Sequence, residues 1–497
     1  MNDKGKVCPT RRRDVLRSLG LGAGALTLAA MNPVHAGLLP KARKAEKYDV
    51  IVIGSGMSGM AAAMQARQDG ASVLLIDKMP EGRSGGNSRL AGGLFAIPTE
   101  DTAESRKAYL EDMTKKAQGR GNVELYKAIS ERVRADVDWL RGMGVEFLPA
   151  FPFAPYRLSI VTAAPATYFG MPKALTTLRQ KFTAAGGKIA FETKAKELIV
   201  GPNARIAGVK AVGPGGLVDY MSRAVVIAAG GYAGNREMME TFVDASAGGM
   251  MVRGVKHTTG DGMLMAHEAG AALINMSGVT AVHIAAVNPN EPAAGNPFLA
   301  VPFAIGINRA GKRFVDESKG YVAVGKATMG QPDQVAALVL GEETFKLGPP
   351  QGSAATFKKL NQPVIEANSI EELAAKIEVP PAELTATINA FNQAVQEGNT
   401  APGATPPKAT MAHKVLGPKY YAFYPLKPGV TLTFGGIYTN AKAQALEPDG
   451  RPIGGLYAAG EGAGGLYYDD YIGGASLANC LVMGRIAGAG AAAERKA

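Results

Sequence analysis

The sequence predicts an α/β protein built on a Rossmann-like dinucleotide-binding unit. Two observations predict it. The β-branched run Tyr48-Asp49-Val50-Ile51-Val52-Ile53 leads directly into Gly54-Ser55-Gly56-Met57-Ser58-Gly59, and an alanine-rich segment, a glycine and a second apolar run follow. The chain also holds 63 glycines gathered into short motifs, the pattern of a backbone that repeatedly turns tightly or approaches a ligand closely.

Each part of the first unit has a physical task. Residues 48–53 read as a parallel strand buried on both faces. Gly54 makes the tight turn, Gly56 lets backbone reach a pyrophosphate, and Gly59 lets helix and strand pack closely. The helix runs to Asp69, and its N-terminal N–H groups and partial positive charge suit phosphate. Gly70 closes it. Ser72-Val73-Leu74-Leu75-Ile76 is the second strand, and Asp77, 18 residues past Gly59, would accept hydrogen bonds from a ribose.

The first residues read as targeting rather than fold. Thr10-Arg11-Arg12-Arg13-Asp14-Val15-Leu16-Arg17 resembles a twin-arginine export signal, and a Gly/Ala-rich stretch follows from Ser18 to Ala30. Val34-His35-Ala36 offers the small residues a signal peptidase takes, so residues 1–36 would be removed on export to the periplasm. The apolar stretch falls short of the about 20 residues that span a bilayer, and no other segment is a membrane candidate. Loss of six basic and two acidic residues lowers the formal charge from +11 to +7, with no basic block remaining. Nucleic-acid binding therefore has little support. Cys8 would leave with the signal and Cys480 would stand alone, which excludes an intrachain disulfide. There is no CxxCH for a covalent haem, and the five histidines have no metal-ligand spacing.

Further motifs carry a resemblance to a family. Gly82-Arg83-Ser84-Gly85-Gly86-Asn87-Ser88-Arg89-Leu90-Ala91-Gly92-Gly93, Ala224 to Gly231, Thr259-Gly260-Asp261-Gly262 and Gly455-Leu456-Tyr457-Ala458-Ala459-Gly460-Glu461 are similar to segments of one flavoprotein family. It comprises soluble fumarate reductases, succinate dehydrogenase flavoproteins and 3-ketosteroid dehydrogenases. The resemblance runs from Tyr48 to Gly490 and implies a glutathione-reductase-type FAD-binding domain with an inserted α+β capping domain. The expected layout is residues 46–275 and 427–497 for FAD and 276–426 for the cap. Within the cap, Ser369-Ile370-Glu371-Glu372 reads as a capping box, and Pro380-Pro381 opens a helix through Gln396.

By this resemblance the cofactor contacts are Gly54, Gly56, Ser58, Gly59, Asp77, Lys78, Gly86, Asn87, Ser88, Gly92, Gly93, Ala195, Ala229, Gly230, Asp261, Gly460, Glu461, Ser476 and Leu477. No histidine lies between Gly82 and Gly93, so non-covalent FAD is expected. The single dinucleotide motif is taken by FAD. That leaves no NAD(P)H site and implies a separate c-type cytochrome or quinone pool as electron partner.

The family's charged landmarks are changed. In Ile307-Asn308-Arg309-Ala310-Gly311-Lys312-Arg313-Phe314-Val315-Asp316-Glu317, similar to a family motif, the catalytic arginine would follow four residues later, where Tyr321 stands. In Tyr468-Asp469-Asp470-Tyr471-Ile472-Gly473-Gly474 the substrate arginine is replaced by Tyr471, and Thr431-Leu432-Thr433-Phe434-Gly435-Gly436 lacks the family's histidines. A dicarboxylate without cations would cost several kcal/mol per charge, so fumarate is a poor substrate. Tyrosines at both positions are similar to 3-ketosteroid dehydrogenases. The resemblance thus implies hydride transfer between flavin and a carbon–carbon bond beside a carbonyl, with Tyr321 and Tyr471 as acid and base.

Backbone N–H groups of Gly435 and Gly436 are candidate enolate donors. Tyr424, Tyr156, Tyr168 and the aromatic run Phe147, Phe151, Phe153 and Phe169 are candidate pocket walls. His283 lies one residue from a family histidine, a position that also suits core packing. Two other readings stand beside this one: reduction of an unsaturated acid such as an aryl acrylate, its carboxylate held by Arg157 or Arg309, and a flavin electron carrier without its own substrate.

Overall fold

The structure is a computed structural model that describes residues 43–153, 156–161, 170–277, 282–287, 295–468 and 471–496. The expected export signal lies outside the described residues, as do Tyr168, Phe169, Asp469 and Asp470. The side chains of Phe151, Phe153 and Tyr156 lie outside them too.

The predicted βαβ unit forms. Arg43–Ile53 pairs in parallel with Val73–Ile76 on one side and with Gly216–Ile227 on the other. Pro452–Ala458 adds in parallel beside Gly216–Ile227, and Lys188–Ala190 beside Val73–Ile76. Both faces are buried. Val50, Val52, Val73 and Leu75 turn to one core and Ile51, Ile53, Leu74 and Ile76 to another, which is why the sequence shows unbroken apolar runs. Lys194–Val200 and Ile206–Gly213 extend this eight-stranded sheet antiparallel.

The helix Met57–Gln68 packs against the C-terminal helix Ala475–Ala493 through small residues. A Cβ on Gly484 would lie 2.5 Å from the Ser58 carbonyl oxygen, and one on Gly488 2.2 Å from that of Ala62. This contact ties the two ends of the chain together over the cradle that Met57–Gln68 opens.

A second, six-stranded sheet is centred on Tyr420–Val430. That strand pairs with Met251–Val252, Val282–Ala286, Ala336–Gly341 and Val364–Ala367, while Ile305–Asn308 lies at the edge beyond Ala336–Gly341. The expected boundaries at 275 and 427 cut across this sheet, because its first strand precedes one and its central strand straddles the other. Helices Ile370–Lys376 and Pro381–Ala394 cover one face. Ser369 Oγ accepts from Glu372 N–H at 3.1 Å, but the Glu372 carboxylate reaches the Asn368 N–H at 2.8 Å, one residue earlier than a capping box requires.

Beneath the second sheet lies a buried charge network. Glu317 accepts from Arg313 Nε at 3.0 Å, from Arg313 Nη2 at 2.8 Å and from Gly306 N–H at 2.7 Å. Lys408 Nζ lies 3.6 Å from the same carboxylate and donates to the Ala304 carbonyl at 2.6 Å. All three side chains are almost wholly shielded from water. Such groups persist inside a protein only when paired and hydrogen-bonded. The network fixes the turn Glu317–Lys319, and the helix Tyr321–Met329 follows it.

Candidate active site

A cavity of about 520 Å³ is walled by both sheets and by the start of the C-terminal helix. One part is the glycine cradle. Gly54 has φ +101°, and a Cβ there would stand 2.4 Å from the Ala228 carbonyl oxygen, so no other residue fits the turn. A Cβ on Gly59 would lie 1.8 Å from the Gly54 oxygen, the close helix–strand contact its spacing predicted. Met57 N–H donates to Ser88 Oγ at 3.0 Å, which joins the helix start to the segment 86–90.

Asp77 faces the cavity, its carboxylate already accepting from Ser55 N–H and Oγ and from Met79 N–H. Lys78 Nζ sits 2.5 Å and Lys194 Nζ 3.3 Å from the Asp261 carboxylate at the same end. Asn87 bridges the walls, donating to Glu461 at 2.8 Å and accepting from Val255 N–H at 2.9 Å. Burial pushes the Glu461 carboxyl up to about 7, against hydrogen bonds from Asn87 and Thr433 N–H that pull it down. Three helices, beginning at Met57, Asp261 and Ala475, start at residues beside this cavity. Glycines clearing the backbone and helix N-termini suited to phosphate fit a bound dinucleotide.

Of the cofactor contacts expected from the sequence, Gly54, Gly56, Ser58, Asp77, Lys78, Gly86, Asn87, Ser88, Gly92, Ala195, Ala229, Gly230, Asp261, Glu461, Ser476 and Leu477 line the cavity. Gly59, Gly93 and Gly460 do not. Gly59 is spent on the helix–strand contact, Gly93 O accepts from Val161 N–H at 2.9 Å, and a Cβ on Gly460 would strike Ser58 Oγ at 2.4 Å. They shape the cradle from behind.

The other part of the cavity gathers Tyr321, Tyr471, Arg253, His283, Thr431, Leu432, Asn296 and Phe298. The two tyrosines come from distant parts of the chain. Tyr321 begins a helix, and its ring meets His283 edge-on and lies 6.3 Å from Phe298. Tyr471 packs with Phe434 and Tyr467, at 6.0 and 5.8 Å between ring centroids. Arg253, on the same cavity wall, interacts electrostatically through its guanidinium with both phenols. It is 5% exposed, and burial pulls its pKa down to about 10. Its Nη1 donates to His283 Nδ1 and to Thr431 Oγ1, the latter at 3.0 Å.

Several expectations fail here. Gly435 and Gly436 do not line the cavity: they are packed against the backbone of Asn275–Met276 and of Gly462–Gly464. Tyr424 and Arg309 lie outside it too, held together with Glu378 on the second sheet's covering face. Arg157 donates to the Ala150 carbonyl, and Phe147 packs on Phe95 and Arg141, so neither reaches the cavity. The cation is Arg253, which sequence reasoning missed. Its signal was an arginine set within Met250-Met251-Val252-Arg253-Gly254-Val255, since arginine in an apolar run is rarely buried without a partner.

Comparison with known proteins agrees with this architecture. Residues 49–477 match the family described as FAD binding domain, and the chain belongs to that family. A probable fumarate reductase of Shewanella frigidimarina is 29% identical over 90% of this chain and 75% of its own length. The urocanate reductase of Eggerthella lenta is 28% identical over 90% of this chain and 74% of its own. Among solved structures, the open conformation of a flavocytochrome c3 fumarate reductase superposes with a TM-score of 0.76 at 25% identity, covering 99% of this chain and 83% of that one. The 3-ketosteroid-Δ4-(5α)-dehydrogenase of Rhodococcus jostii RHA1 superposes at 0.71 with 24% identity, covering 92% and 99%, a likeness of fold. The protein is an FAD-dependent oxidoreductase of the fumarate reductase family.

Proposed function

We propose that this enzyme moves a hydride between FAD and a carbon–carbon bond next to a carbonyl, with Tyr321 and Tyr471 handling the proton at the α carbon. The observation that carries the reading is their meeting in the same cavity as the cradle, although 150 residues apart in sequence. The relatives named for fumarate and urocanate reduction support chemistry at such a bond.

When bound, FAD supplies the two-electron acceptor or donor for the hydride. The chain's own residues do the rest. A phenol has a reference pKa of about 10, so it donates a proton readily at neutral pH and acts as a base only when a neighbouring cation stabilises the phenolate. Arg253 is such a cation. Leu432 and Phe434, each under a tenth exposed, keep water from this wall and strengthen every charge interaction within it. In reduction a tyrosine gives its proton to the α carbon, and in oxidation it takes one.

The cofactor is held non-covalently in this reading, through the backbone and side-chain contacts of the cradle. We also place the enzyme in the periplasm by twin-arginine export, with a separate cytochrome or quinone pool supplying or taking electrons. The direct test uses purified holoprotein, reduced anaerobically and mixed with conjugated ketones, conjugated acids and fumarate while flavin absorbance is followed. Reoxidation by a conjugated carbonyl compound is expected. Failure with every such compound would overturn the reading.

A further inference from the structure

We propose that Lys408 is a positioning residue: its ammonium, behind the cavity, ties together the two chain segments that present Phe298 and Tyr321 to the substrate. This rests on the hydride-transfer reading above and adds a residue to it. Lys408 does not line the cavity, so it acts only through those segments.

The two segments meet at its Nζ. One runs from Asn296 and Phe298, in the cavity wall, through the turn Val301–Phe303 to Ala304, whose carbonyl accepts from Lys408 at 2.6 Å. Its start is fixed separately: Ala286 N–H donates to the Gly295 carbonyl at 2.9 Å, and Ala300 N–H donates to Ser353 Oγ at 3.1 Å. The other segment begins at Glu317, whose carboxylate lies 3.6 Å from Nζ. The Glu317 carbonyl accepts from Gly320 N–H at 3.0 Å, and Gly320, at φ +89°, turns the chain into the helix that Tyr321 opens. A Cβ on Gly325 would lie 2.8 Å from the His283 carbonyl carbon, so that helix rests directly on the strand Val282–Ala286. Phe298 and Tyr321, 6.3 Å apart between ring centroids, are where the two segments reach the cavity.

Lys408 is a second cation on an anion that is already paired. Arg313 alone gives the Glu317 carboxylate two hydrogen bonds, and Gly306 N–H gives a third. Asp316, the next acid, is half-buried and accepts from Ser318 N–H and Oγ. His413, held below its usual pKa by burial and by Lys408, adds no charge at neutral pH. A methionine would fill the same space without the cost of desolvating an ammonium. What the charge adds is the bond to Ala304, since a charge-assisted hydrogen bond is about twice as strong as a neutral one. Burial pulls the Lys408 pKa down to about 8, with Glu317 and Asp316 opposing the shift and Arg313 adding to it. The charge is therefore present at neutral pH and lost a little above it.

The test follows reoxidation of reduced holoenzyme by saturating 4-phenylbut-3-en-2-one between pH 6.5 and 9.5, with flavin content measured in each sample. In the wild type the saturating rate should fall about 3- to 10-fold around pH 8, the size of one hydrogen bond weakened, while the half-saturating concentration changes less. Lys408→Arg, charged throughout, should hold its neutral-pH rate to pH 9. Lys408→Met should be slow at every pH and show no step near 8. A lysine that served stability alone would lower Tm when replaced and leave no step for Lys408→Arg to remove. A wild-type rate that is level from pH 7 to 9 overturns the proposal whether or not the variants fold, as does a step near pH 8 that either variant retains. If conjugated ketones, conjugated acids and fumarate all fail to reoxidise the flavin, the hydride-transfer reading itself fails and the positioning role with it.

Discussion

The ring of His283 stands edge-on to that of Tyr321, with centroids 4.6 Å apart and planes at 86°. Tyr321 thereby holds its phenol against the wall that carries Arg253. Tyr321→Phe keeps this ring contact and removes only the hydroxyl. If the hydroxyl moves the substrate proton, the variant should retain full flavin content and lose about 10²- to 10⁴-fold in kcat. Stopped-flow reoxidation checks it, and Tyr471→Phe is the parallel case. Unchanged kcat in both would remove the tyrosines from the chemistry.

Glu461 predicts a pH dependence of stability. Burial raises its carboxyl from 4.5 to about 7, so the folded protein holds a proton that the unfolded chain releases. The sign follows: stability from this group is complete below pH 4.5, falls as pH rises, and levels off above about 7. In flavin-stripped protein, Glu461→Gln should flatten that decline and be the more stable form at pH 8. Urea denaturation at pH 5, 6, 7 and 8 reads the difference. A wild-type curve that rises over this range would contradict the assignment.

The buried network under the second sheet is expected to be sensitive to loss of its anion. Glu317→Gln leaves Arg313 and Lys408 as two shielded cations without a carboxylate. The cost should be about 3–5 kcal/mol, read as a lowered Tm. Because Glu317 precedes Tyr321 by one helical turn of sequence, kcat should fall as well.

Non-covalent FAD predicts that acid precipitation leaves all flavin absorbance in the supernatant and none on the protein. Flavin that stays with the pellet would instead point to a covalent link, with His257 and Cys480 among the nucleophiles that line the cavity.

Export predicts that Arg12→Lys combined with Arg13→Lys keeps the chain in the cytoplasm with residues 1–36 attached. Cell fractionation and the mass of the N-terminal peptide check both points. A periplasmic product from the double variant would exclude the twin-arginine route.

The cradle was legible because its parts are local. From Tyr48 to Asp77 the strand, turn, helix and second strand follow one another, and period and glycine spacing suffice. That Tyr321 and Tyr471 line one cavity could be expected only through the resemblance to the family's motifs, since nothing local in the sequence brings them together. Arg253, Thr431 and Asn296 escaped because their meeting depends on how the strand Tyr420–Val430 registers with Met251–Val252 and Val282–Ala286. That register is a long-range property. Gly435 and Gly436 misled for the opposite reason: a glycine pair signals close approach, and here it is Asn275–Met276 and Gly462–Gly464 that approach. Arg309 was eligible by charge, but Glu378 lies 2.5 Å away and holds it at the surface.

The two parts of the cavity draw mainly on different sheets. Gly54, Asp77 and Gly230 belong to the first sheet's strand ends, whereas Arg253, His283 and Thr431 belong to the second's. Substitutions on the second sheet can therefore retune which molecule reacts without loosening the grip on the cofactor. One scaffold of this kind can diversify its chemistry by drift at a few wall positions while the cradle stays as it is.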